Sequence, residues 1–331
     1  MDIRYNTNHL YFDEGPHRYT DDNGNEYLSV TTLIGDYYPK FDAKKWAHRK
    51  AMEQGKSEAA IIREWDRIKN EACERGTRQH NGLENAIKSV SKFKNAIQYL
   101  VQIESGRCIT VADIPNLIPV PLNIEEFKEA TDNKYPEIYR VFDYYTNKGY
   151  TIYSEIGAYL IDYLVSGTID ILCIKEDNFV ILDWKTNRDG LVFESGYFKK
   201  DKTTIPNQLT KEWVRKNDKM LPPLQSLPDC NGYHYTMQLS LYALMVEMIL
   251  GLPCVGLGLC HIGSAWVLNN YGQPLRDETG YHVDPNGDET IKWYRIEYLK
   301  KLAYELLEDR KKKLDADGIK IKNKQLSLFG D

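Results

Sequence analysis

The sequence predicts an α/β fold, a central mixed β-sheet flanked by helices and elaborated at the N-terminus by a hairpin and helices. Three observations carry that expectation. Apolar positions recur at helical spacing, among strong helix formers, from Ala43 to about Val90. From about Tyr150 the chain turns to short runs rich in β-branched residues, at Thr151 to Leu160, Val165 to Ile174 and Phe179 to Trp184. Tyr235 to Leu250 then reads as a helix, followed by Val255 to Ile262, whose nearly unbroken apolar run suits a sheet interior. The order is strand, strand, strand, helix, strand.

Taken in order, His9 to Tyr19 is expected to pair with Glu26 to Val30 across Asp21-Asp22-Asn23-Gly24, with Asn-Gly the strongest turn signal. Ser29 or Thr31 then caps a short helix. Gly55 and Gly76 are expected to divide the helical stretch into two or three helices. Residues 105–135 carry prolines and little periodicity, and read as a mostly irregular connection with a short helix. Lys175-Glu176-Asp177-Asn178 is a turn between two strands. Residues 186–232 are polar, lysine-bearing and interrupted by Pro206, Pro222, Pro223 and Pro228, as in a long mobile insertion. Gly251-Leu252-Pro253 stops the following helix. A hairpin from Tyr281 to Glu297 around Pro285-Asn286-Gly287-Asp288 and an amphipathic helix from about Tyr298 to Leu314 complete the pattern. The expected organisation is one domain over 1–314, with a hairpin and helical part at 1–150 and the sheet at 151–314, and a tail at 315–331.

With 331 residues and 42% apolar content the chain can bury a substantial core. No N-terminal stretch resembles a signal peptide, and Leu239 to Leu250 is too short for a span and carries Glu247, so no membrane is expected and the setting is read as cytoplasmic. The six cysteines form no Cys-x-x-Cys pair. Zinc, an iron-sulfur cluster and a disulfide framework are therefore poorly supported, and reduced thiols are expected. A net charge of -5 argues against coating nucleic acid with the whole surface, yet leaves room for a local positive track. Lysine and arginine are concentrated in Lys199 to Lys219 and Lys300 to Lys324.

The chemistry-bearing stretch is Gly167-Thr168-Ile169-Asp170 followed by Asp183-Trp184-Lys185. If the turn folds symmetrically about Glu176-Asp177, Asp170 comes opposite Asp183, with Cβ atoms about 5 Å apart. Alternation puts Lys185 on the face of Asp183 and Trp184 on the other. Two carboxylates about 4 Å apart repel by about 1 kcal/mol in water and about 4 kcal/mol at an effective dielectric of 20, so a half-buried pair calls for a cation. Oxygen donors favour magnesium or manganese. The plain alternative is a surface hairpin whose acidic residues are solvated.

Together with Gln238-x-x-x-Tyr242, these residues resemble the PD-(D/E)xK nuclease superfamily. They are most similar to its RecB-like branch, which includes phage λ-type exonucleases and the mitochondrial genome maintenance exonuclease. Gly76-x-x-x-His80-x-x-x-Glu84 matches an upstream element of that branch, and Glu155 its carboxylate on the preceding strand. The elements stand in the family's order over residues 76–242. The resemblance implies a restriction-endonuclease-like core in which Asp170, Asp183, the Trp184 carbonyl and His80 ligate one or two magnesium or manganese ions. It gives Lys185 the task of positioning or activating the attacking water and stabilising charge on the phosphate. Glu155 would hold a second ion or orient a water, its alternative being a capped strand-end carboxylate. Gln238 and Tyr242 would contact the DNA strand or brace the lysine, and Glu84 shares the helical face of His80. The branch's iron-sulfur cysteine pattern is absent.

The chain ends in Gln325-Leu326-Ser327-Leu328-Phe329-Gly330-Asp331, and its first five residues resemble the peptide that docks on the bacterial β sliding clamp. Two leucines and a phenylalanine on a polar terminus either pack on their own domain or await a groove. The expectation is thus a metal-dependent DNA nuclease tethered to the clamp, an exonuclease in phage or bacterial recombination, repair or replication. The alternatives are a structure-specific or defence-type endonuclease, or a non-catalytic DNA-binding clamp adaptor.

Overall fold

The N-terminal turn forms because the Asp21 carboxylate accepts the backbone N–H groups of Asn23 and Asn25, while Gly24 supplies the left-handed φ of +73°. A computed structural model describes residues 10–13, 18–87, 98–103, 106–111, 121–277 and 280–322, without the side chains of 12, 80, 81, 84–87, 98–103 and 106–111. The first part comprises β1 (Leu10–Asp13), β2 (Arg18–Asp21), β3 (Glu26–Ser29), α1 (Val30–Gly35), α2 (Ala43–Gln54) and α3 (Glu58–Ile87). Ser29 is the cap of α1, its hydroxyl accepting the Thr32 N–H at 3.1 Å. Gly55 ends α2 in a left-handed conformation.

Next come β4 (Gln98–Ile103), β5 (Gly106–Val111), α4 (Ile124–Ala130), α5 (Pro136–Asn147), β6 (Thr151–Leu160), β7 (Val165–Ile174) and β8 (Phe179–Lys185). The chain closes with β9 (Gly196–Asp201), β10 (Gln208–Arg215), α6 (Asn231–Leu250), β11 (Cys254–Gly263), β12 (Thr290–Ile296) and α7 (Lys300–Ala316). Among the described residues ten strands make one mixed sheet, in which β6, β7 and β8 are antiparallel neighbours, β11 runs parallel to β8, and β12 is antiparallel to β11. Such a parallel step needs a crossover, and α6 supplies it.

Helices cover both faces. α1, α6 and α7 bury Leu33, Ile34, Met237, Leu241, Met245, Leu306 and Leu307 against one face. Leu83 of α3, Phe127 of α4 and Ile138 and Phe142 of α5 close the other over Ile171, Leu182, Trp184 and Cys260. The protein is therefore a mixed α/β fold with a central mixed sheet flanked by helices. The middle of α6, from Leu239 to Val246, is buried on every side, because the sheet, α1 and α7 enclose it. Among the described residues no helix is long and apolar enough to cross a membrane.

Several expectations are corrected. α3 runs unbroken for 30 residues through Gly76, which serves a close approach rather than a break. The stretch expected to be irregular contains the β4–β5 hairpin's second strand. The insertion at 186–232 holds a two-stranded ribbon, β9 with β10, and a Lys219–Pro228 bridge. Thr290–Ile296 pairs with β11 and not with the residues before its own turn, and so satisfies the N–H and C=O groups that the edge of β11 away from β8 would otherwise leave unpaired. Residues 264–277 and 280–289 instead form an excursion held by isolated bridges.

Candidate functional site

The site grows from a fork in the sheet. One edge of β7 pairs with β6 from Val165 to Ile174. The other edge is shared, with β3 on Val165 and Ser166 and β8 on Ile171 to Ile174. Residues 167–170 lie in the gap, and Asp170 stands where β8 leaves. The turn pairs as its symmetry predicts, Ile171 with Leu182 through Ile174 with Phe179. One step further the ladder opens, and the Asp170 carboxylate accepts the backbone N–H of Trp184 at 2.9 Å. A side chain thus takes the place of a main-chain partner at the fork.

Glu155 lies opposite Asp170, between the pairs Ser154–Ile171 and Ile156–Ile169, with φ at +53°. A left-handed non-glycine residue costs about 1–2 kcal/mol. Its effect is to invert the facing of β6: Ile152 packs on the α5 side of the sheet, yet Ile156 packs on the α6 side. The same switch occurs in β7 between Ile169 and Ile171. Simple alternation, which the sequence reading assumed, fails at this one position, and strain of this kind gathers at functional sites.

Asp183 is 2% exposed and forms an ion pair with Lys185, which is 12% exposed. Burial pulls the Lys185 ammonium toward neutrality, but the charges of Asp183 and Asp170 outweigh it and the net shift is upward. The Tyr235 ring lies 4.5 Å from Lys185 Nζ, within cation–π range. Asn187 donates to the Tyr235 hydroxyl at 2.9 Å, and its own carbonyl accepts from His261 Nε2 at 2.7 Å. Since a carbonyl can only accept, Nε2 carries the proton. The segment leaving β8 is thereby pinned to α6 and β11.

Tyr242 is buried, and its hydroxyl is pushed far up, by desolvation first and then by the charges of Asp183 and Asp170. Gln238 Nε2 reaches that hydroxyl at 3.5 Å. A Cβ on Gly167 would stand 2.6 Å from the Tyr242 ring, which explains the glycine of Gly167-x-x-Asp170. A Cβ on Gly76 would stand 3.0 Å from Thr186 Oγ1, so α3 meets the end of β8 one turn before His80. The structure therefore brings Asp170, Asp183, Lys185, Tyr242 and Gln238 together, with Glu155 across the strand. The Trp184 ring faces away, against Phe142 and Trp293. The side chains of His80 and Glu84 lie outside the described residues, as does the tail from Gln325 to Phe329.

Sequence reasoning missed Tyr235, Asn187 and His261. A signal existed for Tyr235, which sits three residues before Gln238 and seven before Tyr242 on one helical face. Among the described residues no group of three or more His, Cys, Asp or Glu side chains is placed to hold a metal ion. The donors that meet at the fork are carboxylate oxygens, the chemistry that suits a hard divalent cation. Comparisons of the chain with family models, with curated proteins and with solved structures give no match.

Proposed function

We propose that this chain is a magnesium- or manganese-dependent DNA nuclease with a restriction-endonuclease-like core, of the RecB-like PD-(D/E)xK type. The observation that carries the proposal is the fork, where Asp170 and the Asp183–Lys185 pair converge beneath Tyr235 and Tyr242. A non-catalytic DNA-binding adaptor has no need for two acidic groups crowded beside a buried lysine. In this reading Asp170 and Asp183, with the Trp184 carbonyl and His80, would hold the divalent ion, which when bound would supply Lewis acidity and positive charge beside the scissile phosphate. Lys185 offers a positive charge to the phosphate oxygens, and Tyr235 and Asp183 fix where that charge stands. Tyr242 and Gln238 hold α6 against the fork, and Glu155 presents a carboxylate across the strand.

The proposal extends to a cytoplasmic exonuclease of phage or bacterial recombination, repair or replication, delivered by the Gln325–Phe329 peptide to a sliding clamp. An end-labelled digest of linear, nicked and closed circular DNA with magnesium or manganese is the decisive test. Loss of linear substrate with circular DNA spared is expected, and Asp183→Ala is expected to abolish cleavage while leaving DNA binding. Cleavage of circular DNA would favour an endonuclease. Linear single- and double-stranded DNA both left intact, or undiminished cleavage by Asp183→Ala, overturns the reading.

A further inference from the structure

On the α5 side of the sheet, away from the fork, α5 and the β11–β12 edge enclose a groove of about 540 Å³. Its floor is β11, an interior strand between β8 and β12, and the floor residues Gly256 and Gly258 lie two apart. Glycine weakens an interior strand, and it marks a place where something approaches the backbone closely. A Cβ on Gly256 would meet only Val180, at an ordinary 3.5 Å, so packing within the sheet does not require that glycine, whereas at Gly258 a Cβ would stand 2.9 Å from Leu182 Cδ2 and packing alone accounts for it.

The walls are aromatic. Tyr144 is 57% exposed and stands edge-on to Tyr145, with centroids 5.3 Å apart, and Trp293 faces them from β12. The Trp293 indole N–H has no acceptor among the described residues. The charged residues in the lining are Lys148, Lys175 and Arg295, with no carboxylate among them, although the chain as a whole carries -5. Lys148 and Lys175 each hold their ammonium 5.9 Å above a tyrosine ring, Tyr144 and Tyr150.

A floor left open at Gly256, aromatic walls and a rim of cations select a ligand that is planar and anionic. Proteins bind single strands with this combination, aromatic rings stacking on bases beside a positive groove that follows the phosphates. We propose that the groove binds a short stretch of single-stranded nucleic acid. It is a second site, since Leu182 lines the groove on one face of β8 while Asp183 and Lys185 stand on the other. It does not depend on the nuclease reading, because binding here needs neither the metal nor the fork.

The test is anisotropy of a dye-labelled oligothymidylate with the full chain in EDTA, where no cleavage occurs. Tyr144→Ala, an exposed position, is expected to weaken binding about tenfold through the lost stack. Gly256→Ala raises the floor without a clash and is expected to weaken it also. Arg295→Ala should reduce the slope of log K against log salt by about 0.7, the share of one phosphate contact on a single strand. Cleavage of linear duplex in magnesium, measured separately, reports on the fork alone. Wild-type affinity in all three variants overturns the proposal, as does wild-type protein that fails to bind. Thymidine monophosphate binding as tightly as the oligomer overturns the assignment to a strand. A change from dimer to monomer in sedimentation, with affinity unaltered, assigns the groove to contact between copies instead.

Discussion

Gly167 sets how closely α6 approaches the fork, because the Tyr242 ring occupies the space a side chain would need. Gly167→Ala is expected to cost about 1–3 kcal/mol, the usual penalty of overpacking. The same substitution in a Tyr242→Ala background should cost little more than Tyr242→Ala alone, and urea denaturation of the four proteins gives the coupling. His234 offers a second residue-scale test. Its ring stacks on Tyr38 at 3.9 Å and meets Asp229 at 2.8 Å through Nε2. Burial lowers its pKa, and Asp229 restores only part of the shift. The native state therefore binds fewer protons than the unfolded chain as pH falls through about 6.5, the unfolded value, so this group removes stability on acidification and its effect levels off below the folded pKa. His234→Phe keeps a stacked ring without the titration. The wild type should lose more of its urea midpoint than the variant between about pH 8 and pH 5. Parallel losses would show that His234 is not the titrating group.

Among the elements, α3 shows why local signals mislead. A glycine inside a helix normally costs about 1 kcal/mol against alanine, which is why Gly76 reads as a break. Here the helix continues, and the missing Cβ admits Thr186 Oγ1. Gly76→Ala should yield no gain in the wild type, yet raise stability by about 0.5–1 kcal/mol once Thr186→Ala has removed the obstacle. A gain of that size in both backgrounds would return Gly76 to the role of a tolerated defect. The strands of the fork were legible because alternation, β-branched residues and a polar turn are local properties. The 171–174 with 179–182 register follows from them directly. The inversion at Glu155 was not legible, since periodicity presumes uniform backbone and a left-handed φ leaves no mark in the residue type. β4 and β12 depend on distant partners in β6 and β11, and a strand's neighbour is chosen by the surface it covers. For the same reason Asp170 and Lys185 could be read as one site from spacing, while His261 reached it only through the parallel step from β8 to β11.

At the scale of the molecule, the net charge of -5 hides a local gathering of cations beside the end of β8. Arg188, three residues beyond Lys185, lies over the Tyr281 ring, and Arg75 of α3 lies over Trp266. Burial lowers the Arg75 pKa, and the neighbouring Arg188 and Arg78 lower it further. Lys200 on β9 is lowered in the same way, by burial and then by Arg276, Lys50 and Arg188. These cations come from α2, α3, the segment after β8, the β9–β10 ribbon and the excursion between β11 and β12, so the fold has assembled them from distant parts of the chain. Lys50, Arg188 and Arg276 already pair with Glu53, Asp189 and Glu64, so the fold itself answers part of the repulsion, and under the nuclease reading the backbone of the strand entering the fork answers the rest at Arg75 and Lys200. Each phosphate contact contributes about 0.9 to the slope of log K against log salt for duplex DNA. Lys200→Glu and Arg75→Glu, measured with calcium in place of magnesium, should each weaken duplex binding and flatten that slope by about this amount. Lys301→Glu, at a side chain 90% exposed on α7, should leave both unchanged. Equal effects at all three positions would mean that duplex DNA senses only the net charge, and the track beside β8 would lose its support.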